Sequence, residues 1–344
     1  MTSFTIDADG VLTSTGSTVD LENRPSDVRL STNGDYIVIS SLTAGSLGLP
    51  NDSLMTENSD TDGPDEIVSH PVDAAGMIGA RSGSAISSFR DVRANVDAAF
   101  QGQDEPAGMD PLAPATALTT FRNLPSPIGL SVTPGSAANT DIVVASETRE
   151  FNAYGGGPTL PNLEAGSIST FTLDNTTGAL SVVSAGADIP ASPAGDPNQL
   201  TLCWVAPVAI GGGNYVVYVS NTINSLISSF QISGDGTVSL VEQIAAAGDG
   251  PFDMANGIDN TNITAGTGMT LGETVFGNTD GFIDLAFSTG GEYLYQLTGL
   301  AGTIEVYSRD DTDNSITLIQ SVDEETASGP GNLPTQNTQG IDAF

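Results

Sequence analysis

The sequence predicts an all-β protein, and three observations carry that reading. Short runs that alternate apolar and polar residues recur along the chain, the period-two signal of half-buried strands. Its 344 residues include 40 glycines and 19 prolines, which punctuate those runs with turns. One strand signature also returns five times, as Ser3-Phe4-Thr5-Ile6, Ile86-Ser87-Ser88-Phe89-Arg90, Ile168-Ser169-Thr170-Phe171, Ile227-Ser228-Ser229-Phe230 and Ile304-Glu305-Val306-Tyr307. A repeat on this scale sets architecture before any single residue sets chemistry.

The N-terminal copy passes through Asp7-Ala8-Asp9-Gly10 into Val11-Leu12, so two strands flank an Asp/Gly turn and form a hairpin. The copy at Ile227 does the same through Gly234-Asp235-Gly236 into Thr237-Val238-Ser239-Leu240. A second strand pair precedes the copies. It reads Pro25–Ser31 with Asn33–Ser40, Pro127–Val132 with Asp141–Ala145, Cys203–Ala206 with Asn214–Val219, and Ile283–Ser288 with Gly290–Leu297. Two hairpins per unit make a four-stranded antiparallel sheet, the blade of a β-propeller. The first strand of each unit is small and apolar, suited to crowding at an axis, and the second carries the Tyr and Val that fill the space between blades.

The expected organisation is one propeller domain over 1–344, interrupted by long insertions at about 43–83, 93–125 and 250–280. The chain starts at a third strand and ends in Gly340-Ile341-Asp342-Ala343-Phe344, which reads as an innermost strand, so both termini are expected in one closing blade. No second strand is visible for that blade. Unpaired backbone is costly, so the strand is expected to be absent from this chain, supplied by a loop, or donated by a neighbouring molecule, the last a route to self-association.

Two stretches carry a family resemblance. Leu202-Cys203-Trp204-Val205 through Asn221-Thr222 to Ser228–Gly236, and Ile283–Ser288 through Leu294-Tyr295 to Leu333-Pro334 and Gln339–Ala343, resemble the lactonase-type propellers, which include 6-phosphogluconolactonase and carboxymuconate-cyclising enzymes. The resemblance implies seven blades, although five repeats read clearly. Degenerate blades inside the long loops, or a smaller ring, would reconcile the two. It also implies that Glu147 and Arg149, in Ser146-Glu147-Thr148-Arg149-Glu150, serve as general base and oxyanion partner at a central pocket. A salt bridge holding a loop is the competing role for that pair.

Net charge is −34, produced by eight arginines and no lysine against 42 acids. Nucleic acid and anionic lipid are excluded as partners because both require basic clusters. Phosphorylated and polycarboxylate lactones are disfavoured for the same reason, which leaves an uncharged lactone as the substrate a hydrolase of this sequence would accept. No apolar run is long enough to cross a membrane as a helix. Low charge density and a Ser/Thr/Asn/Gly surface point to an extracellular or cell-surface protein.

Asp60, Asp62 and Asp65 have the alternate spacing of a Ca²⁺ loop, with Gly63 in the turn, but not the twelfth-position Glu of an EF-hand. Calcium is therefore the one ion this sequence suggests, against a solvated acidic loop as the favoured reading. His70, the only histidine, reads as a surface-loop residue in this stretch. With one His and one Cys the chain lacks a zinc set, and no G-x-S-x-G elbow is present. Cys203 reads as a small buried apolar residue beside Trp204.

The leading expectation is a secreted or surface-exposed propeller of the lactonase type that works by binding or assembly without catalysis, its small-molecule or glycan ligand unidentified. The alternative is a hydrolase of a neutral lactone.

Overall fold

The structure is a computed structural model that describes residues 1–19, 21, 24–42, 66–86, 125–149, 167–184, 202–221, 226–245, 282–298 and 303–323. Among the described residues there are strands and turns and no helix. β1 (Thr2–Ile6) and β2 (Leu12–Thr18) form a two-stranded hairpin. Four four-stranded antiparallel sheets follow in chain order. The first blade is β3 (Arg24–Leu30), β4 (Tyr36–Leu42), β5 (Glu66–Pro71) and β6 (Gly83–Ile86). The second is β7 (Pro125–Pro134), β8 (Thr140–Arg149), β9 (Ser167–Asp174) and β10 (Leu180–Ser184). The third is β11 (Leu202–Gly211), β12 (Asn214–Asn221), β13 (Leu226–Ile232) and β14 (Val238–Ala245). The fourth is β15 (Phe282–Phe287), β16 (Tyr293–Thr298), β17 (Thr303–Arg309) and β18 (Ile316–Asp323).

Each blade hydrogen-bonds in sequential order, and its first strand packs against the first strand of the next blade: β3 on β7, β7 on β11, β11 on β15. This is propeller packing. Successive side chains of a strand point to opposite faces, so each central strand feeds two different cores. Val217 and Val219 of β12 join Ile142, Val144 and Phe230 between the second and third blades. Val216 and Tyr218 of the same strand join Leu285, Leu294 and Tyr307 between the third and fourth. The first and second blades meet over Val38, Ile67, Leu130, Val143 and Phe171.

The recurrent third-strand code now has a physical meaning. Ile67 and Ile168 sit on the face toward the following blade. Two residues on, and therefore on that same face, a hydroxyl crosses the gap: Ser69 donates to the Gly178 carbonyl, and Thr170 to the Gly236 carbonyl at 2.6 Å. Both glycines take positive φ in the next blade's outer hairpin, at 75° and 91°, a conformation most other residues avoid. The aromatic residue after the hydroxyl turns back onto the preceding blade, as Phe171 does.

Two expectations are corrected. The third strand of the first blade is β5, with Ile67-Val68-Ser69-His70 in the place of the code, and Ile86 instead ends the outermost strand β6. Residues 66–71 are thus a blade strand within the expected insertion at 43–83, and β6 begins at its last residue. His70 is buried on β5, its Nδ1 3.1 Å from the Gly79 carbonyl, because it replaces the aromatic residue of the code; it is not a surface-loop residue. The second correction concerns degenerate blades in the long loops. Neighbouring blades from first to fourth pack directly on one another, so none stands between them. Cys203 is buried, as expected.

Candidate functional site at the loop-bearing end

Antiparallel order gives the ring two unlike ends. At one end lie the tight turns 31–35, 135–139, 175–179, 233–237, 288–292 and 310–315, within which short side chains cap backbone amides. Thr176 N–H donates to Asp174 at 2.7 Å, Thr237 N–H to Asp235 at 3.0 Å and Ser315 N–H to Asp313 at 2.9 Å. These amides hold all three exposed carboxyls below their ordinary pKa. At the other end, the chain leaves or enters the sheets through 43–65, 87–124, 150–166, 185–201 and 246–281. Long connections on a rigid ring are where binding residues concentrate.

β8 delivers Glu147 to that second end. Ser146 and Glu147 are both buried but face opposite ways. Ser146 faces the third blade: its hydroxyl donates to the Cys203 carbonyl and accepts the Gly129 N–H at 3.0 Å. Ser40 of β4 makes the equivalent bridge, from Asp27 N–H to the Ile128 carbonyl, each at 2.9 Å. In the first and second blades these serines sit at the register shift of the innermost strand. Glu147 faces the first blade, and the Ser169 hydroxyl donates to its Oε1 at 2.9 Å. Arg149 is the last residue of β8, two positions on and opposite Pro125. Both positions lie toward the end of β8 that leads into residues 150–166. Asp60, Asp62 and Asp65 lie outside the described residues, and among the described residues no cluster of three metal-ligating side chains occurs.

The site residues that the sequence reading missed are on β3. Asp27 and Arg29, one face of that strand, reach the innermost strand of the next blade. Asp27 Oδ2 accepts Leu130 N–H at 2.8 Å, while Arg29 Nε donates to the Leu130 carbonyl at 2.8 Å. The two side chains are themselves 3.0 Å apart. A residue's N–H and C=O point the same way from a strand, so these are the groups on the edge of β7 away from β8, the edge that borders the ring axis. Asp27 also accepts the N–H of Val28 at 2.7 Å. Burial pushes its pKa above the ordinary value of 3.8, against the lowering effect of Arg29 and the two amides. An acid two residues before an arginine on a predicted innermost strand was the available signal.

Asp141, also buried, ties the first two blades together by accepting Thr32 N–H at 2.8 Å and the Thr32 hydroxyl at 2.5 Å.

Residues 162–267 match the family described as Lactonase, 7-bladed beta-propeller. No curated protein matches the sequence. Among solved structures, a putative 6-phosphogluconolactonase from Bacteroides fragilis NCTC 9343 is 13% identical over 93% of this chain and 63% of its own, with a TM-score of 0.47. One from Bacteroides uniformis ATCC 8492 is 14% identical over 94% and 63%, with a TM-score of 0.48. The periplasmic gluconolactonase of Pseudomonas aeruginosa is 14% identical over 94% and 77%, with a TM-score of 0.41. The chain thus spans 63% of the length of the first two. The lactonase-type resemblance read from the sequence is borne out, and the fold is all-β with four-stranded antiparallel blades.

Proposed function

We propose that this chain opens an uncharged lactone by hydrolysis at the loop-bearing end of the ring axis. The single observation that carries the reading is the match of residues 162–267 to the lactonase propellers. The charge of −34, with no lysine, supports the choice of an uncharged ring over a phosphorylated one. In the proposed step Glu147 takes a proton from water, and the hydroxide adds to the lactone carbonyl carbon. Arg149 stabilises the oxyanion, the ring C–O bond breaks as the carbonyl reforms, and the leaving oxygen takes its proton from Glu147. The Ser169 hydroxyl holds the carboxylate in one orientation for this exchange.

The test is acid release from a panel of neutral lactones followed with a pH indicator. Turnover that falls by about a hundredfold or more in Glu147→Gln supports the reading, and turnover equal in the two proteins refutes it.

A second reading, a non-catalytic module that assembles through its N-terminal hairpin, is favoured by one observation. Phe4, Ile6, Val11 and Leu12 of that hairpin are 53%, 70%, 56% and 62% exposed, an unusual display of large apolar side chains on a two-stranded sheet. Light scattering with and without Ca²⁺ decides it, a strict monomer in both conditions counting against assembly.

A further inference from the structure

The guanidinium of Arg29 has a geometry that support of the fold does not account for. Arg29 lies on the innermost strand β3, and Nε is spent on the Leu130 carbonyl at 2.8 Å while Nη2 faces Asp27 at 3.0 Å. These contacts fix the plane of the group. Its side chain nonetheless remains 42% exposed, beside the axial edge of β7. The other arginines whose side chains are described sit elsewhere: Arg81 bonds Glu66 within the first blade, and Arg309 is 5% exposed and fully engaged by Gly291, Asn314 and Asp311. Among the described side chains, Arg29 is therefore the one guanidinium on an innermost strand.

A planar fork held from one side and open on the other suits a carboxylate, which it can engage through two parallel N–H donors. Asp27 limits the charge it accepts. The Asp27–Arg29 pair is neutral overall, so it can orient a singly charged carboxylate but opposes a phosphate, whose second charge would meet Asp27 and the field of a strongly acidic chain. Half-exposure keeps the interaction weak, as a group that must release product requires.

We infer that Arg29 is the anchor for the carboxylate of a hydroxy acid at the ring axis, the ring-opened product of the lactone chemistry proposed above, and the assignment rests on that reading for the identity of the acid. Asp27 acts as a positioning residue. It holds the guanidinium in plane while the two backbone amides hold Asp27 itself.

The experiment is a titration of the intact chain with D-gluconate enriched in ¹³C at the carboxyl, read by NMR at low ionic strength. Saturable binding by the wild type is expected, weakened about tenfold or more in Arg29→Gln and less in Arg29→Lys, which keeps the charge and loses the fork. Arg81→Gln should bind as the wild type does. Thermal unfolding checks that each variant is folded, and if Arg29→Gln is not, Arg29→Lys alone decides. Gluconate binding that is absent in the wild type, or unchanged by substitution of Arg29, overturns the inference. Lactone turnover is scored separately. Binding through Arg29 without turnover refutes the hydrolase and leaves the carboxylate site, whereas turnover with binding indifferent to Arg29 refutes the site alone.

Discussion

Asp141 offers the sharpest test of how the blades are joined, because its carboxylate bonds the second blade to the first and its charge is felt at the third. Thr32 of the first blade donates its N–H at 2.8 Å and its hydroxyl at 2.5 Å. In the third blade, Tyr215 has its pKa raised above 10.0, first by burial and then by the charge of Asp141. Hydrogen bonds to a charged acceptor contribute about 1.5–3 kcal/mol each. Thr32 is exposed, so water recovers part of the loss, and Asp141→Ala is expected to cost about 2–4 kcal/mol. Asp141→Asn keeps an oxygen for the Thr32 amide and loses only the charge, at about 1–2 kcal/mol. Urea unfolding followed by the fluorescence of Trp204, the single tryptophan, measures both. The phenol provides an independent readout. Removing the negative charge should lower the Tyr215 pKa toward 10.0, visible as a shift in the ultraviolet titration after subtraction of Tyr215→Phe. A group whose folded pKa is raised stabilises the fold below its unfolded value and loses that contribution as pH climbs through the folded one. With the folded pKa brought closer to the unfolded one, the alkaline loss of stability owed to Tyr215 should be smaller in Asp141→Ala. Variants within about 0.5 kcal/mol of wild type, with Tyr215 titrating as before, would refute the assigned role.

Four further outcomes follow from the same geometry. Gly129→Ala should disrupt the joint between second and third blades, since a Cβ there would lie 2.3 Å from the Cys203 carbonyl oxygen and 2.7 Å from Trp204 Cα, both backbone; a loss of about 1–3 kcal/mol in the same unfolding assay is expected. Thr170→Val keeps the shape and removes the donor to the Gly236 carbonyl, costing about 1–2 kcal/mol. Phe230→Ala empties a fully buried site between blades and should cost about 3–5 kcal/mol. In acid, Asp174, Asp235 and Asp313, with lowered pKa values, stabilise the fold above 3.8 and cease to as pH falls through their folded values. Replacing all three with Asn should flatten the fall in stability between neutral pH and pH 2, whereas Asp27→Asn should not, because the raised pKa of Asp27 has the opposite sign.

Three of the four third strands were legible because Ile168, Ile227 and Ile304 are each followed three residues later by an aromatic residue. The fourth was hidden by chemistry that the fold treats as equivalent. In β5, Val68 stands where the others have Ser169 and Ser228, and His70 stands for the aromatic ring. A flat ring buried at the blade interface satisfies the packing whether it is imidazole or phenyl. Residues 86–90 carry the letters of the code without its neighbours, a Tyr/Val-rich second strand before and a turn after, and period alone could not expose the coincidence. Glu147 was found through the family resemblance. Asp27 and Arg29 were passed over because a small, apolar innermost strand was expected, and the register shift between Pro25 and Asp27 is what turns the charged pair toward the neighbouring strand.

The scarcity of arginine gives the Asp27–Arg29 pair its weight. A chain with 42 acids and eight bases cannot answer each acid with a cation. Asp141 is met by Thr32, Glu147 by Ser169, Glu305 by Tyr307 and Asp284 by the Leu285 amide. What an interior carboxylate needs is donors, and hydroxyls and backbone amides supply them here without a long side chain to order. Asp27 already has two amide donors, at 2.7 Å and 2.8 Å. Its charge is thus already met in part by the backbone. Arg29 is then better explained by what its open side can reach than by what its closed side supports, and the same reasoning leaves Glu66–Arg81 as a tie within a blade, where no axial edge is available to either partner.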